Sequence, residues 1–216
     1  MIVVDIETSG VSHDCGIWQI GAINLKTMEK FFGEGRIDDE DNIQEGALKV
    51  AGKTENFFRD KKKQSQEELV KNYLSWVEQQ PEKIFFGQNI YFDIGFIQAK
   101  SIKYKFHEYF DKVHGHRGQG IETLAQEKYF GIHKKYLLDD DGKDAMSLGK
   151  VLEFCGIKDP RVHIRGITGK VEKEGVPHNS IHDCKLEGEC LWRLEYGKNL
   201  FPEFEKFKIP GYLERK

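Results

Sequence analysis

Ile2-Val-Val-Asp-Ile-Glu-Thr8 is the stretch on which the reading turns. It is short, apolar and β-branched around its acids, as a buried strand is. Side chains alternate along a strand, so Asp5 and Glu7 point to the same side. Two carboxylates held that close repel unless a cation lies between them. Taken alone, the pair fits either two solvent-facing acids on an edge strand or the start of a functional site.

Residues 17–25 and 30–36 read as two further strands, which with the first make an antiparallel meander. Residues 38–42 (DDEDN) form an acidic loop. Residues 66–80 carry a helical stripe through Leu69, Val70, Tyr73, Leu74, Trp76 and Val77, and Pro81 closes that helix. Residues 83–87 (KIFFG) read as a buried strand and 92–99 as a helix. Residues 115–120 are loop-like, and 121–130 run from a strand end into a helix. A turn at 139–142 precedes a helix over 145–155. Residues 162–174 alternate weakly and read as a β-hairpin insertion. The last long helix spans 179–196, capped by Asn179 or Ser180. Strands that both cluster and alternate with helices give an α/β layered fold.

The 216 residues, 38% hydrophobic and 32% charged, suit one embellished globular domain. We divide it into a domain over 1–200, with an insertion at 158–177, and a C-terminal extension over 201–216. The net charge of −3 is not that of a protein that grips long duplexes, so contact with nucleic acid should be local and short. Cys15, Cys155, Cys184 and Cys190 show no CxxC spacing, which argues against structural zinc and fits a reducing cytoplasm. No run approaches the roughly 18 apolar residues of a membrane span, and the first residues lack the basic start of a signal peptide.

Two other segments carry chemistry. In Gly87-Gln-Asn-Ile-Tyr-Phe-Asp-Ile-Gly-Phe96, Asp93 follows a buried strand and falls in the first turn of a helix, where the helix dipole favours its charge. An ordinary N-terminal helix acid has the same place. Phe92 and Phe96 read as core, although an aromatic ring beside a nucleotide site can also stack on a base. In His178-Asn-Ser-Ile-His-Asp183, the aspartate opens the last helix and His178 lies just before it. His182 is a minor rival, turned about 100° away from Asp183 on a helix. Four carboxylates from three elements suit hard cations such as Mg2+ or Mn2+. A pair of such ions about 3.5–4 Å apart clamps the attacking and leaving oxygens of a phosphoryl transfer. A histidine titrating near neutrality can take the proton of the attacking water.

The ordered set of D-I-E-T at 5–8, N-x-x-F-D at 89–93 and H-x-x-x-x-D at 178–183 resembles the DEDDh 3′–5′ exonuclease family, over roughly residues 2–194. Trp18-Gln-Ile-Gly-Ala22 is similar to the family's second strand, and Glu122-Thr-Leu124 stands where Asp-Thr-Leu is common. The resemblance implies an RNase H-like fold, with a mixed five-stranded central sheet and helices on both faces. It implies two metal ions on Asp5, Glu7, Asp93 and Asp183, with His178 as general base. Thr8, Asn89 and Phe92 are the candidate substrate contacts. Asn at position 179 disfavours the tyrosine variant of the superfamily. The expected activity is release of nucleoside 5′-monophosphates from single-stranded or short 3′ ends of DNA or RNA, with a partner such as a polymerase conceivable. The alternative is an inactive module that holds a nucleic-acid end or a partner. The insertion, with Arg161, Arg165, Lys170 and Lys173, reads either as a substrate-contacting hairpin or as a solvated loop. Residues 103–117, with Lys103, Lys105, His107, Lys112, His114, His116 and Arg117, either border the substrate channel or are plain surface.

Overall fold

A computed structural model of the chain describes residues 1–165 and 170–214. Its strands are β1 (Ile2–Thr8), β2 (Ile17–Asn24), β3 (Lys30–Arg36), β4 (Gln64–Ser65), β5 (Phe85–Gly87), β6 (Gly118–Gly120), β7 (His163–Arg165) and β8 (Lys170–Lys173). Its helices are α1 (Glu45–Ala51), α2 (Glu55–Phe58), α3 (Gln66–Gln79), α4 (Ile90–Lys103), α5 (His107–Val113), α6 (Ile121–His133), α7 (Leu148–Phe154) and α8 (Ser180–Tyr196).

The main sheet is mixed, in the order β4-β3-β2-β1-β5-β6. The expected RNase H-like layout holds, with a sixth strand added. That strand, β4, pairs two residues in parallel with Gly35 and Arg36 at the end of β3. It is too short to leave a periodic signal. β6 is a Gly-Gln-Gly triplet whose composition reads as loop. β7 and β8 pair antiparallel as the expected hairpin before the last helix. Its tip, 166–169, lies outside the described residues.

Period-two alternation along β1 builds two cores. Ile2, Val4 and Ile6 face α3, α4 and α5, packing with Leu69, Tyr73, Ile94, Phe96 and Phe110. Val3 faces the other way, toward α6, α7 and α8, with Ile121, Leu152, Leu191 and Leu194. Asp5 and Glu7 therefore lie on the α8 side of a central strand, not on an edge. Phe201, Phe204 and Leu213 are buried in the same α8-side core. Arg193, fully buried in α8, pairs with Glu189 at 2.8 Å and donates to the carbonyls of Phe204 and Phe207.

Candidate active site

Three local devices bring the acids together. The first is the contact between α8 and the sheet. Asp5 lies opposite Gly21 and Glu7 opposite Gln19 in the β1–β2 register. A Cβ on Gly21 would stand 2.5 Å from the carbonyl carbon of Ser180, so the missing side chain lets the first turn of α8 rest on β2. Gln19 Oε1 then accepts from Ser180 N–H at 2.7 Å and from its hydroxyl at 3.0 Å. Asn179 caps the helix by accepting from His182 N–H. Asp183, in that first turn, is set beside β1.

The second device is the turn from β5 into α4. Asn89 takes a left-handed conformation (φ 52°), which Asn tolerates better than most residues, and reverses the chain so that Asp93 falls in the first turn. Asp93 Oδ1 then accepts from Ile6 N–H at 2.9 Å, between Asp5 and Glu7. Asn89 is exposed, and its own N–H donates to Glu122 at 3.0 Å. Its visible work is to shape the turn. Thr8 and Phe92 instead line, with Glu7, Gln44 and Val50, a mostly apolar pocket of about 430 Å³.

The third device is the root of the hairpin insertion. Val162 N–H donates to Val176 and Val176 N–H to Pro160, which closes the root. The Val162 carbonyl accepts from His178 Nε2 at 3.1 Å, and His178 Nδ1 is 3.3 Å from Asp183 Oδ2. A carbonyl can only accept, so Nε2 carries a hydrogen there. In the neutral ring, Nδ1 is then the acceptor turned toward Asp183. Glu7, His178 and Asp183 each bring one potential ligand atom within 4.8 Å of the others. His182 is exposed and lines a pocket with Arg161 and Asp183.

The electrostatics is that of crowded, buried acids with Arg161 as a nearby cation. Burial, then the charges of Glu7, Asp183, Glu187 and Asp93, pushes the Asp5 carboxyl well above its ordinary range. Burial and Asp183 do the same to Glu7, and burial raises Asp93 to about 8. Buried oxygens of Asp5, Glu7 and Glu187 have no hydrogen-bond partner among the described residues. Such orphans are costly, and a hard cation satisfies them. Glu7 and Asp183, with His178 beside them, are a donor set that can hold a divalent cation.

No protein-family model matches the sequence, and no curated protein does. Among solved structures, the chain is similar to E. coli exonuclease I in complex with a dT13 oligonucleotide, with a TM-score of 0.64 and 16% identity over 89% of this chain and 40% of that one. It is similar to the zinc-ion-bound E. coli exonuclease I–single-stranded DNA complex, with a TM-score of 0.62 and 16% identity over 95% and 42%. A third is a moderately thermophilic exonuclease I from Methylocaldum szegediense, with a TM-score of 0.59 and 15% identity over 92% and 41%. The fold is that of the part of exonuclease I that the chain covers. The chain spans about two fifths of the length of these structures.

Glu187 escaped the sequence reading, and Arg161 was read there only as one basic residue of the insertion. Glu187 lies one helical turn after Asp183, is 1% exposed and joins the acid cluster. The i,i+4 spacing was its signal. Arg161, one of several basic residues in the insertion, is buried and reaches Asp183 at 3.4 Å. Lys103, expected near a channel or on plain surface, instead pairs with Asp38, Glu40 and Asp41 of the acidic loop. His114 is a core residue, stacked on Phe85 at 3.8 Å. Among the described residues, no helix is long and apolar enough to cross a membrane.

Proposed function

We propose that this protein is a divalent-cation-dependent 3′–5′ exonuclease that hydrolyses terminal phosphodiesters of DNA or RNA and releases nucleoside 5′-monophosphates. The convergence of Glu7, His178 and Asp183 within 4.8 Å, beside Asp5 and the anchored Asp93, carries the reading. Asp5, Glu7, Asp93 and Asp183 would hold two ions, Mg2+ or Mn2+. Such ions neutralise phosphate charge and stabilise the attacking and leaving oxygens. His178 takes the proton of the attacking water at Nδ1, the nitrogen that its bond to Val162 leaves as acceptor. The pocket at Thr8 and Phe92 receives the terminal nucleotide, with Phe92 as the surface on which its base stacks.

The fold likeness to exonuclease I bound to single-stranded oligonucleotides supports a single-stranded or short 3′ end as substrate. The modest net charge of −3 supports it too. Four free, buried thiols support a reducing compartment such as the cytoplasm.

The test is a side-by-side digestion of matched single- and double-stranded DNA and RNA, labelled at either end, with Mg2+ or with EDTA. The expected result is a ladder shortened from the 3′ end with Mg2+, absent in EDTA and absent in Asp183→Asn. Binding without shortened products would replace the enzyme by a module that holds a nucleic-acid end. Neither binding nor cleavage would remove both readings.

A further inference from the structure

Glu187 answers to none of the motif positions, yet it lies deeper than Asp5. It is 1% exposed, and one of its carboxylate oxygens has no partner among the described residues. The Gln88 backbone N–H, just past β5, donates to the carboxylate and fixes its direction. On α8 it follows Asp183 by one turn, so both side chains leave the helix on the face that meets Asp5. A glutamate with no role here would be an expensive choice. A buried, half-satisfied carboxylate costs several kcal/mol, which Gln or Leu would avoid.

Arg161 stands against this cluster. Its Nε and Nη2 hold Asp159 at 3.0 and 2.9 Å, a two-point grip that fixes the guanidinium plane. His163 approaches the same carboxylate at 2.9 Å. Arg161 Nη1 is left to point at Asp183 Oδ2, 3.4 Å away. The hairpin root leaves this arginine little room to withdraw. Arg161 bridges to Val176, and a Cβ on Gly175 would stand 2.3 Å from the Arg161 carbonyl carbon.

We infer that Glu187 is a fifth carboxylate of the divalent-ion site and that Arg161 is its fixed counter-charge, the two together setting how tightly the site takes ions. The inference rests on the nuclease reading of the same site. It makes the hairpin insertion part of the ion site, through a side chain that the three motifs do not contain. It also predicts opposite effects for two neutralising substitutions. Glu187→Gln removes an attraction for cations, and Arg161→Gln removes a repulsion.

The experiment is Mn2+ binding to the full chain without nucleic acid, followed by calorimetric titration and by electron paramagnetic resonance of free Mn2+. Glu187→Gln should weaken binding by about tenfold or more, the range seen when groups around metal ligands are removed. Arg161→Gln should tighten it several-fold. The charge-keeping Glu187→Asp and Arg161→Lys should each lie closer to wild type than the matching Gln variant, which separates charge from packing. Thermal melting in EDTA checks folding. There, Glu187→Gln should melt no lower than wild type, because it removes a buried carboxyl that lacks a full set of partners. Wild-type binding with unchanged affinity in Glu187→Gln, or weaker binding in Arg161→Gln, would overturn this inference and leave the nuclease reading standing. No Mn2+ binding by the wild-type chain would overturn both.

Discussion

Asp93 Oδ1 accepts a hydrogen bond from Ile6 N–H at 2.9 Å, so one acid of the cluster is tied to the backbone between two others. The bond exists because β5 is three residues long and pairs with β1 only at Ile2 and Val3. Beyond that point, β1 has an open edge on this side. An Asp93→Ala variant leaves a buried N–H unsatisfied, at a cost of about 1–3 kcal/mol. At pH 6 it should unfold earlier in urea by that amount and lose cleavage. Asp93→Asn keeps an acceptor, so it should keep most of the stability while losing cleavage equally. Wild-type turnover in Asp93→Asn would take Asp93 out of the ion site.

The same carboxyl makes stability depend on pH. Burial raises Asp93 from 3.8 to about 8 in the folded chain. Between those values the native state binds more protons than the unfolded state, so stability falls as pH rises through the window. Asp5, Glu7 and Glu187 are raised as well and act in the same direction. In EDTA, Tm should fall from pH 6 to pH 9. Mg2+ should raise Tm more at pH 9 than at pH 6, because ions take the deprotonated form. Differential scanning calorimetry at the two pH values checks this, and an equal Mg2+ gain at both would contradict it.

His114 acts in the opposite direction. Burial lowers it from 6.5 to about 4, stacked on Phe85 with its Nε2 3.0 Å from the Tyr73 hydroxyl. Here the unfolded state binds the extra proton between pH 4 and 6.5. The contribution is therefore present above 6.5 and lost as pH falls toward 4, by about 3 kcal/mol. His114→Phe preserves the stack and removes the titration. Its urea midpoint should change less than that of wild type between pH 6.5 and pH 4.5, and an equal acid loss would place the sensitivity elsewhere.

The candidate site was legible in the sequence where chemistry and local geometry coincide. Asp5 and Glu7 share a face because strands alternate, and Asp93 and Asp183 open helices that follow readable signals. What was hidden depends on contacts between distant segments. β4 is two residues and β6 is Gly-Gln-Gly, and neither can show a period. α1, α2 and α5 are seven residues or fewer, too short for a distinct stripe. Arg161 looks like any basic residue in a polar insertion until the hairpin root folds it against Asp159 and Asp183. Glu187 looks like a solvated helix acid until α8 lies on β1.

That last placement depends on Gly21. With a Cβ 2.5 Å from the Ser180 carbonyl carbon, the contact is with backbone at a helix start and no side chain can rotate away. Gly21→Ala must push α8 off β2 or bend the strand. Overpacking of this kind costs about 1–3 kcal/mol. The shift falls on the turn that carries Asp183 and follows His178, and displacements near 1 Å at a reacting centre can cost about a hundredfold in rate. Gly21→Ala should therefore remain folded, with a Tm lowered by several degrees, and lose far more activity than stability. Mn2+ affinity should fall with it, since Asp183 moves relative to Asp5 and Glu7. Circular dichroism melting beside oligonucleotide cleavage tests the split. A variant that loses stability while keeping full turnover would mean that the seat of α8 on β2 matters for folding alone.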